Sequence, residues 1–335
     1  MYVKMQNIQN NTVKENSKPF KFYFVLAAAA LLLVLFILRT FLYEKLFAPV
    51  AVEVEKDMYV DTQITPNFNI EPVKLISSGS DSPPELILGV SGIVIDADSG
   101  LIIYDKDSLK RMPLASLVKI LTAVVVIEHK SLPDYATVTE ESGSVGENTM
   151  GVSAGEVYTI EELLYGLLLN SGNDAAYVLA ENTAGSIEEF VKWMNRKTDE
   201  LGLIDTEVYD PSGLDDRSYT TARDLAVLTE YAMRHDVFRK IVATVSKELP
   251  YSGLHKYLFL ENQTNLLTTY PGVKGVKTGY TEEAGLCLST YASNEGRNLI
   301  GVVLNSISRR SDMILMLDYG FGYYGIKVDH GLLDY

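Results

Sequence analysis

The chain has 335 residues, of which 47% are hydrophobic, and its formal net charge is −15. This length and composition allow one soluble domain of about 230 to 250 residues with a large core, together with additional segments at its ends. The acidic charge argues against a nucleic-acid partner or an anionic lipid surface for the domain, because both of these are negatively charged themselves.

The start of the chain predicts a membrane tether. Residues 1–21 are polar and carry four lysines, whereas 22–43 are mainly apolar and long enough to span a bilayer. Because the basic side of such a segment stays in the cytoplasm, we expect a cytoplasmic tail at 1–21, a single-pass signal anchor at 22–43 in the cell membrane, and an extracytoplasmic remainder. A cleaved signal peptide is the alternative, but its small-residue site should follow the apolar run, and the alanines at 27–30 lie inside it. Residues 44–85 lack sustained periodicity and predict a tether.

From about residue 86 the pattern becomes globular and mixed. Apolar stretches at 88–95 and 101–104 predict two strands, and strand character returns at 285–292 and 299–305. The segment between them is mainly helical, with helix starts predicted from capping residues at Thr159, Ser186 and Thr221. Strands on both sides of a helical segment predict one sheet built from both ends of the domain, with a helical lobe inserted.

The apolar run at 113–127 predicts a buried helix that contains one serine and one lysine, Ser116 and Lys119. Three residues apart, their side chains share one helix face, so Lys119 can reach the Ser116 hydroxyl near the positive end of the helix dipole. This is the arrangement of an activated serine nucleophile. On its own, the pair is also compatible with a helix serine beside a snorkelling lysine.

Two later motifs change this balance. S-x-N occurs at 171–173, after the helix that begins at Thr159, and K-T-G occurs at 277–279, where a turn enters a strand. Each has a simple structural alternative, a loop that ends a helix or a strand-edge charge followed by a turn. The ordered set S-x-x-K, S-x-N and K-T-G is much harder to obtain by chance and marks the active-site serine penicillin-recognising enzymes. We expect the three motifs to meet in a cleft between the sheet and the helical lobe.

The chain resembles the serine-type D-alanyl-D-alanine carboxypeptidases, the low-molecular-weight penicillin-binding proteins of peptidase family S11. The resemblance implies an α/β (α+β) fold of the penicillin-binding-protein and β-lactamase type, an antiparallel sheet flanked by helices with an inserted mainly helical lobe. It implies a catalytic domain at 86–325, followed by a C-terminal tail at 326–335. Beyond the three motifs, similar stretches lie at 112–116, 170–176, 213–215, 219–226 and 275–281.

The resemblance also implies catalytic roles. Ser116 would attack the carbonyl of the terminal D-Ala-D-Ala bond in peptidoglycan stem peptides, with Lys119 as its general base. This role requires a lysine pKa about three units below the usual value of about 10.4, and we expect burial and the positive charge of Lys277 to lower it. Ser171 would relay a proton to the leaving amine, and Asn173 would orient the peptide and Lys119.

Further residues are implied in substrate binding. Lys277, Thr278 and an arginine just before the last helix would hold the substrate carboxylate, and the oxyanion would lie between the backbone N–H groups of Ser116 and Tyr280. Water would then hydrolyse the acyl-enzyme without any metal or other cofactor. The implied substrate-binding set is Lys277, Thr278, Gly279, Tyr280 and Arg309, with Arg310 as the alternative to Arg309.

The remaining chemistry-bearing residues have other interpretations. The single Cys287 excludes an intrachain disulfide, and its apolar surroundings predict a small core residue rather than a thiol nucleophile. The four histidines stand far apart, and no H-E-x-x-H or paired cysteine spacing indicates zinc.

The predicted function is therefore a membrane-anchored D,D-carboxypeptidase that removes the terminal D-alanine from stem peptides and is inhibited by β-lactams. A class A β-lactamase is an alternative, although such enzymes carry Asp in the middle motif, where position 172 here is Gly. A D,D-endopeptidase on the same fold is a second alternative. A non-catalytic wall-binding scaffold is a third, and the intact nucleophile, base and relay positions argue against it.

Overall fold

The computed structural model describes residues 30, 31, 33, 34, 36, 73–77 and 87–332. The chain divides into two units, Met1–Gln63 and Ile64–Tyr335, and the residues described in the first unit are helical. Within the described residues, no helix combines the length and the apolar character needed to cross a bilayer. The predicted tail at 1–21 and most of the predicted anchor at 22–43 lie outside the described residues, so both stay predictions.

A six-stranded sheet forms the centre of the second unit. The strands are β1 (Ile76–Ser77), β2 (Ser91–Asp96), β3 (Leu101–Lys106), β4 (Met112–Pro113), β5 (Tyr135–Thr137), β6 (Val157–Thr159), β7 (Tyr219–Thr220), β8 (Ser246–Leu249), β9 (Leu258–Glu261), β10 (Val273–Thr281), β11 (Gly285–Asn294) and β12 (Arg297–Ser306). The sheet has the order β1-β3-β2-β12-β11-β10 and is antiparallel except for the pairing of β1 with β3. The prediction of one sheet built from both ends of the domain is confirmed.

Helices cover both faces of this sheet and form the inserted lobe. They are α1 (Val118–His129), α2 (Glu140–Gly143), α3 (Ile160–Leu168), α4 (Asn173–Ala184), α5 (Ile187–Glu200), α6 (Ala222–Met233), α7 (Asp236–Val242), α8 (Leu266–Thr269) and α9 (Arg309–Tyr323). Helices α1 to α7 lie between β3 and β10 in the sequence, as the helical segment predicts. The predicted α/β (α+β) fold is confirmed.

The strand β2 shows why its sequence is apolar at nearly every position. Ile93 and Ile95 belong to the core cluster that includes α1 and α6, whereas Val94 belongs to a second cluster with Met313 and Leu317 of α9. Successive side chains of a strand point to opposite faces, so covering both faces removes the usual alternation of apolar and polar residues. Both faces of the central strands are therefore buried against helices.

The helix starts follow the capping residues in the sequence. Thr159 and Glu162 form a capping box at the start of α3, because each side chain accepts a hydrogen bond from the backbone N–H of the other residue. The side chains of Ser186 and Thr221 accept backbone N–H groups at the starts of α5 and α6. Each cap supplies an acceptor to an N–H group that has no partner within its helix, and all three predicted starts are confirmed.

The predicted helix at 113–127 differs from the structure at its start. A 3-10 turn at Ala115–Leu117 precedes α1, and Ala115 has a φ angle of +48°. A residue in this left-handed region interrupts a right-handed α-helix, so the α-helix cannot extend back through Ala115, and it begins at Val118. Ser116 therefore lies in the 3-10 turn, and Lys119 is the second residue of α1.

The catalytic domain extends beyond both of its predicted ends. In the segment predicted as a tether, the Ile76 N–H donates to the Gly100 carbonyl at 2.9 Å, and Ile76 pairs with Leu101 in parallel. In the segment predicted as a tail, the Ile326 N–H donates to the Phe321 carbonyl at 3.0 Å. The described residues 73–77 and 326–332 are thus part of the domain's structure, and the rest of the predicted tether lies outside the described residues.

Candidate active site

A cavity of about 390 Å³ opens between β10, at the edge of the sheet, and the helical lobe. Its lining brings together residues from all three motifs and the start of α9. The predicted site residues in the lining are Ser116, Ser171, Asn173, Thr278, Gly279, Tyr280 and Arg309. The two predicted lysines, Lys119 and Lys277, lie behind this surface and are hydrogen bonded to its residues.

Lys119 connects the first two motifs. Its Nζ donates to Ser116 Oγ at 3.0 Å, to Asn173 Oδ1 at 2.7 Å and to the Ser212 carbonyl at 2.6 Å. Asn173 is the first residue of α4, and its Nδ2 donates to the Gly146 carbonyl at 3.1 Å. The amine is thus held by three acceptors in one place, within hydrogen-bond distance of the serine hydroxyl.

The environment of Lys119 suits a base at neutral pH. The side chain is fully buried. Burial lowers the pKa of Lys119 from 10.5 to about 7, although the negative charges of Asp210, Asp174 and Glu147 oppose this change. The positive charges of Lys119 and Lys277 repel each other, and this repulsion also lowers the pKa of Lys277.

Lys277 connects the second and third motifs. Its Nζ donates to Ser171 Oγ at 2.9 Å and to the Thr278 carbonyl at 2.9 Å. Burial, followed by the positive charges of Lys119 and Arg309, lowers the pKa of Lys277 well below its usual value. Lys277 is buried within β10, so the alternative of an exposed strand-edge charge does not describe it.

The loop that carries Ser171 has an unusual backbone. Ser171 has a φ angle of +58° and lies between α3 and α4. A non-glycine residue in this region is uncommon and costs about 1 kcal/mol or more. The conformation places the Ser171 hydroxyl at the cavity, where Lys277 donates to it.

β10 lies directly against the 3-10 turn that carries Ser116. A Cβ built on Gly279 would lie 3.3 Å from the backbone nitrogen of Ser116 and 3.3 Å from Ala115 Cβ. The strand residues Thr278, Gly279 and Tyr280 line the cavity, with Tyr280 largely exposed at its mouth. The backbone of this strand and the backbone of Ser116 therefore border the same space.

The two adjacent arginines differ in position. Arg309 is the first residue of α9, lines the cavity and donates from Nη1 to the Gly279 carbonyl at 2.8 Å. Arg310 is exposed and does not line the cavity. The sequence predicts an arginine just before the last helix, whereas Arg309 is the first residue of that helix.

Two buried carboxylates for which the sequence predicts no role hold the loops of the site. Asp174 accepts the N–H groups of Met150 at 2.7 Å and Gly151 at 2.8 Å. Asp210 accepts the N–H groups of Gly213 at 3.0 Å and Leu214 at 3.1 Å. An aspartate followed by Pro-Ser-Gly is a turn signal that indicates the second of these loops. This loop supplies the Ser212 carbonyl that binds Lys119.

Two findings concern other chemistry near the cavity. Cys287 is fully buried in β11, and burial raises the pKa of its thiol to about 11, so the prediction of a core residue is confirmed. Among the described residues, no group of three or more His, Cys, Asp and Glu side chains is arranged to hold a metal ion.

Gly213 lies where the Asp210 loop meets the 3-10 turn. Its φ angle is +86°, and a Cβ at this position would lie 2.0 Å from the Ala115 carbonyl oxygen. We expect Gly213→Ala to lower the free energy of unfolding by about 3 kcal/mol or more and to slow acylation of Ser116, because the turn must shift. Chemical denaturation measures the change in the free energy of unfolding. The rate at which benzylpenicillin labels Ser116 measures the change in acylation.

Gly185 provides a matched control for this substitution. It has nearly the same φ angle, +84°, but no atom lies within 4 Å of the position that a Cβ would take. Gly185→Ala should cost only about 1 kcal/mol of stability and leave the acylation rate unchanged. Equal effects of the two substitutions on acylation would contradict the proposed contact between Gly213 and Ala115.

Comparison with known proteins identifies relatives of this chain. The sequence model of peptidase family S11, described as D-alanyl-D-alanine carboxypeptidase, matches residues 79–308. The chain is 35% identical over 243 residues to the D-alanyl-D-alanine carboxypeptidase DacF of Bacillus subtilis, covering 70% of this chain and 62% of that protein. It is 30% identical over 240 residues to a D-alanyl-D-alanine endopeptidase of Pseudomonas aeruginosa, covering 70% of this chain and 72% of that protein.

A solved structure has the same fold. The crystal structure of the Streptomyces K15 DD-transpeptidase matches with a TM-score of 0.68 and 30% sequence identity, covering 72% of this chain and 100% of that chain. The family match spans more than half of the sequence, and the structural match covers the whole solved domain. The chain belongs to peptidase family S11, the serine-type D-alanyl-D-alanine carboxypeptidases.

Proposed function

We propose that this chain removes the terminal D-alanine from peptidoglycan stem peptides through an acyl-enzyme on Ser116. The observation that carries this proposal is the hydrogen bond from Lys119 Nζ to Ser116 Oγ at 3.0 Å, at the wall of a cavity that also contains Ser171 and Thr278. With a pKa of about 7, Lys119 is neutral in a large fraction of molecules at neutral pH and can accept the serine proton.

In the acylation step, Ser116 Oγ attacks the carbonyl carbon of the D-Ala-D-Ala bond while its proton passes to Lys119 Nζ. The new C–O bond forms as the carbonyl oxygen becomes an oxyanion between the N–H groups of Ser116 and Tyr280. The C–N bond then breaks as Ser171 gives its proton to the leaving amine and takes the proton held by Lys119, which becomes neutral again. In the second step water attacks the ester carbonyl and gives a proton to Lys119. The ester C–O bond then breaks, Lys119 returns this proton to Ser116 Oγ, and the shortened peptide leaves as a carboxylate.

The charges of the site support binding of a terminal carboxylate. Arg309 is the one cation in the described lining of the cavity, and Lys277 lies behind Thr278. Burial and the neighbouring cations hold the pKa of Lys277 low, and an incoming carboxylate would favour its charged form. Arg309, Lys277 and the Thr278 hydroxyl would therefore bind the end of the peptide and place the preceding carbonyl at Ser116.

Release of D-alanine from a peptide that ends in D-Ala-D-Ala tests this function. We expect the full-length chain to release it and to form a covalent adduct with benzylpenicillin, visible by intact-mass analysis. Because Lys119 must be neutral, kcat/KM should rise as the pH rises through about 7. No release and no adduct, from folded protein, would contradict the proposal and favour a wall-binding scaffold. Rapid hydrolysis of the penicillin would favour a β-lactamase.

Cleavage of crosslinked peptides is a second candidate function. The observation that favours it is the relative from Pseudomonas aeruginosa, which is named an endopeptidase. The same acyl-enzyme chemistry applies, since the difference lies in whether the leaving amine belongs to free D-alanine or to a second stem peptide. Incubation with purified crosslinked muropeptide dimers, followed by chromatography, separates the two activities.

We also propose that the segment at 22–43 anchors the chain in the cell membrane, with the N-terminus in the cytoplasm and the catalytic domain outside. The support is the length of the apolar run and the lysines that precede it. Recovery of the full-length chain with the membranes, and its digestion by protease added to spheroplasts, would agree with this location. Recovery from the soluble fraction of cells would oppose it.

A further inference from the structure

Glu147 is the one carboxylate in the described lining of the cavity. Its side chain is exposed, and among the described residues it accepts no hydrogen bond and forms no ion pair within 4.0 Å. Neither the mechanism nor the motifs give it a role. A carboxylate without a partner at the wall of a binding cavity is available to a cationic group of a ligand.

The backbone holds Glu147 in a defined place. The carbonyl of Gly146 accepts Asn173 Nδ2 at 3.1 Å, and the carbonyl of Asn148 accepts the Asn173 N–H at 2.8 Å. Glu147 lies between these two residues, with a φ angle of +63°. Because both neighbours are bonded to Asn173, which itself binds Lys119, the Glu147 backbone is fixed beside the S-x-N motif.

The charged groups of the cleft have an order. Arg309 donates to the carbonyls of Gly279 and Cys287, so it lies on the strand side. Glu147 lies on the lobe side, in the loop whose carbonyls accept hydrogen bonds from Asn173. Ser116 contacts both sides, because its backbone lies against Gly279 and its Oγ accepts a hydrogen bond from Lys119, which also binds Asn173. The cleft therefore has a cationic side at Arg309 and an anionic side at Glu147, and Ser116 is connected to both.

We propose that Glu147 binds the cationic side chain of the residue that precedes D-Ala-D-Ala, so that the preferred substrate is a stem peptide whose diamino residue has a free amine. This inference rests on the proposed function. With the substrate carboxylate at Arg309 and the scissile carbonyl at Ser116, the preceding residue extends toward the opposite side of the cleft. Each residue of an extended peptide adds about 3.5 Å of length, and a long side chain that ends in an amine reaches several ångströms further. An amine already used in a crosslink is a neutral amide and lacks this attraction.

Asp216 is the competing carboxylate near the mouth of the cavity. Its Oδ1 accepts a hydrogen bond from Thr281 Oγ1 at 2.7 Å, and Thr281 lines the cavity. Asp216 itself does not line the cavity and already has a partner, whereas Glu147 lines it and has no hydrogen-bond or ion-pair partner in the described part of the chain. These differences favour Glu147 as the amine-binding residue.

Two peptides that differ by one acetyl group test the proposal. One is Nα-acetyl-L-Lys-D-Ala-D-Ala, with a free side-chain amine, and the other is Nα,Nε-diacetyl-L-Lys-D-Ala-D-Ala. For the wild-type chain at low salt, we expect kcat/KM to be about five-fold higher for the free amine, the size of a partly exposed ion pair. At about 1 M salt this preference should fall toward one, because screening weakens exposed ion pairs.

Substitutions then locate the preference. Glu147→Gln should bring the ratio of the two kcat/KM values to about one, while Glu141→Gln, which removes an exposed acid outside the cavity lining, should keep the wild-type ratio. The ratio is the informative quantity, since removing Glu147 also removes a charge that raises the pKa of Lys119 and so changes both rates alike. Asp216→Asn should also keep the wild-type ratio.

The outcomes separate this inference from the function on which it rests. Cleavage of both peptides with equal kcat/KM by the wild type, or an unchanged preference in Glu147→Gln, overturns the inference and leaves the D,D-carboxypeptidase intact. Loss of the preference in Asp216→Asn alone also overturns it. Cleavage of neither peptide by folded protein overturns the proposed function, and the inference with it.

Discussion

Ser116→Ala is expected to abolish both the release of D-alanine and the covalent adduct with benzylpenicillin. Without Oγ no ester can form, so kcat/KM should fall by at least about a thousand-fold, the scale of losing a nucleophile that acts together with its base. Intact-mass analysis after incubation with benzylpenicillin gives the adduct, and D-alanine release gives the rate. In the wild type the adduct should correspond to one penicillin per chain.

We expect this substitution to leave the fold nearly unchanged, so that a loss of activity can be attributed to the missing hydroxyl. The described hydrogen bond of Ser116 Oγ is the one from Lys119, so the thermal midpoint should move by only about 2 °C. Ser144→Ala, at an exposed serine at the end of α2, serves as the control and should keep full activity. An adduct of the same mass on the Ser116→Ala protein would show that another residue is the nucleophile.

The architecture followed from signals that are local in the sequence. Capping residues such as Thr159 and Thr221 act on N–H groups two or three positions away, so their effect is readable from a few neighbouring residues. The apolar runs in the sequences of β2 and β12 likewise indicate that both strands are buried. The motif spacing predicted that Ser116 and Lys119 share one face, and the 3.0 Å hydrogen bond agrees with that expectation although a 3-10 turn, not an α-helix, carries the serine.

The details that the sequence did not predict depend on contacts between distant segments. Ala115 takes a positive φ angle next to Gly213, which no neighbouring residue indicates. Glu147 reaches the cavity because carbonyls on either side of it bind Asn173. The pKa of Lys119 depends on its burial, and then on its distances to Asp210 and Asp174, all of which only the folded chain defines. Periodicity and propensity describe single elements and contain no information on such distances.

Lys119→Met is expected to abolish acylation while making the folded protein more stable at neutral pH. The side chain is fully buried and its pKa falls from 10.5 to about 7, which corresponds to about 5 kcal/mol of differential interaction. Methionine has a similar length and no charge, so it removes most of this penalty. Asn173 Oδ1 and the Ser212 carbonyl each lose a donor, at a cost of about 1 kcal/mol per group. The net gain should be about 2 kcal/mol, with kcat/KM lower by about a thousand-fold or more.

The pH dependence of this gain identifies its cause. Because the pKa of Lys119 is lower in the folded state, the unfolded chain binds more protons between about pH 7 and pH 10, and the contribution of Lys119 to stability improves as the pH rises through this window. The advantage of Lys119→Met should therefore shrink by about 2 kcal/mol between about pH 7 and pH 9. Removing the positive charge of Lys119 also lets the pKa of Lys277 move back toward its usual value, so the stability of the variant depends less on pH and the change acts in the same direction. Denaturant unfolding of both proteins at pH about 7 and about 9 measures this difference in stability. If the variant is less stable at neutral pH, or if its gain does not depend on pH, burial of the charge is not what lowers the pKa of Lys119.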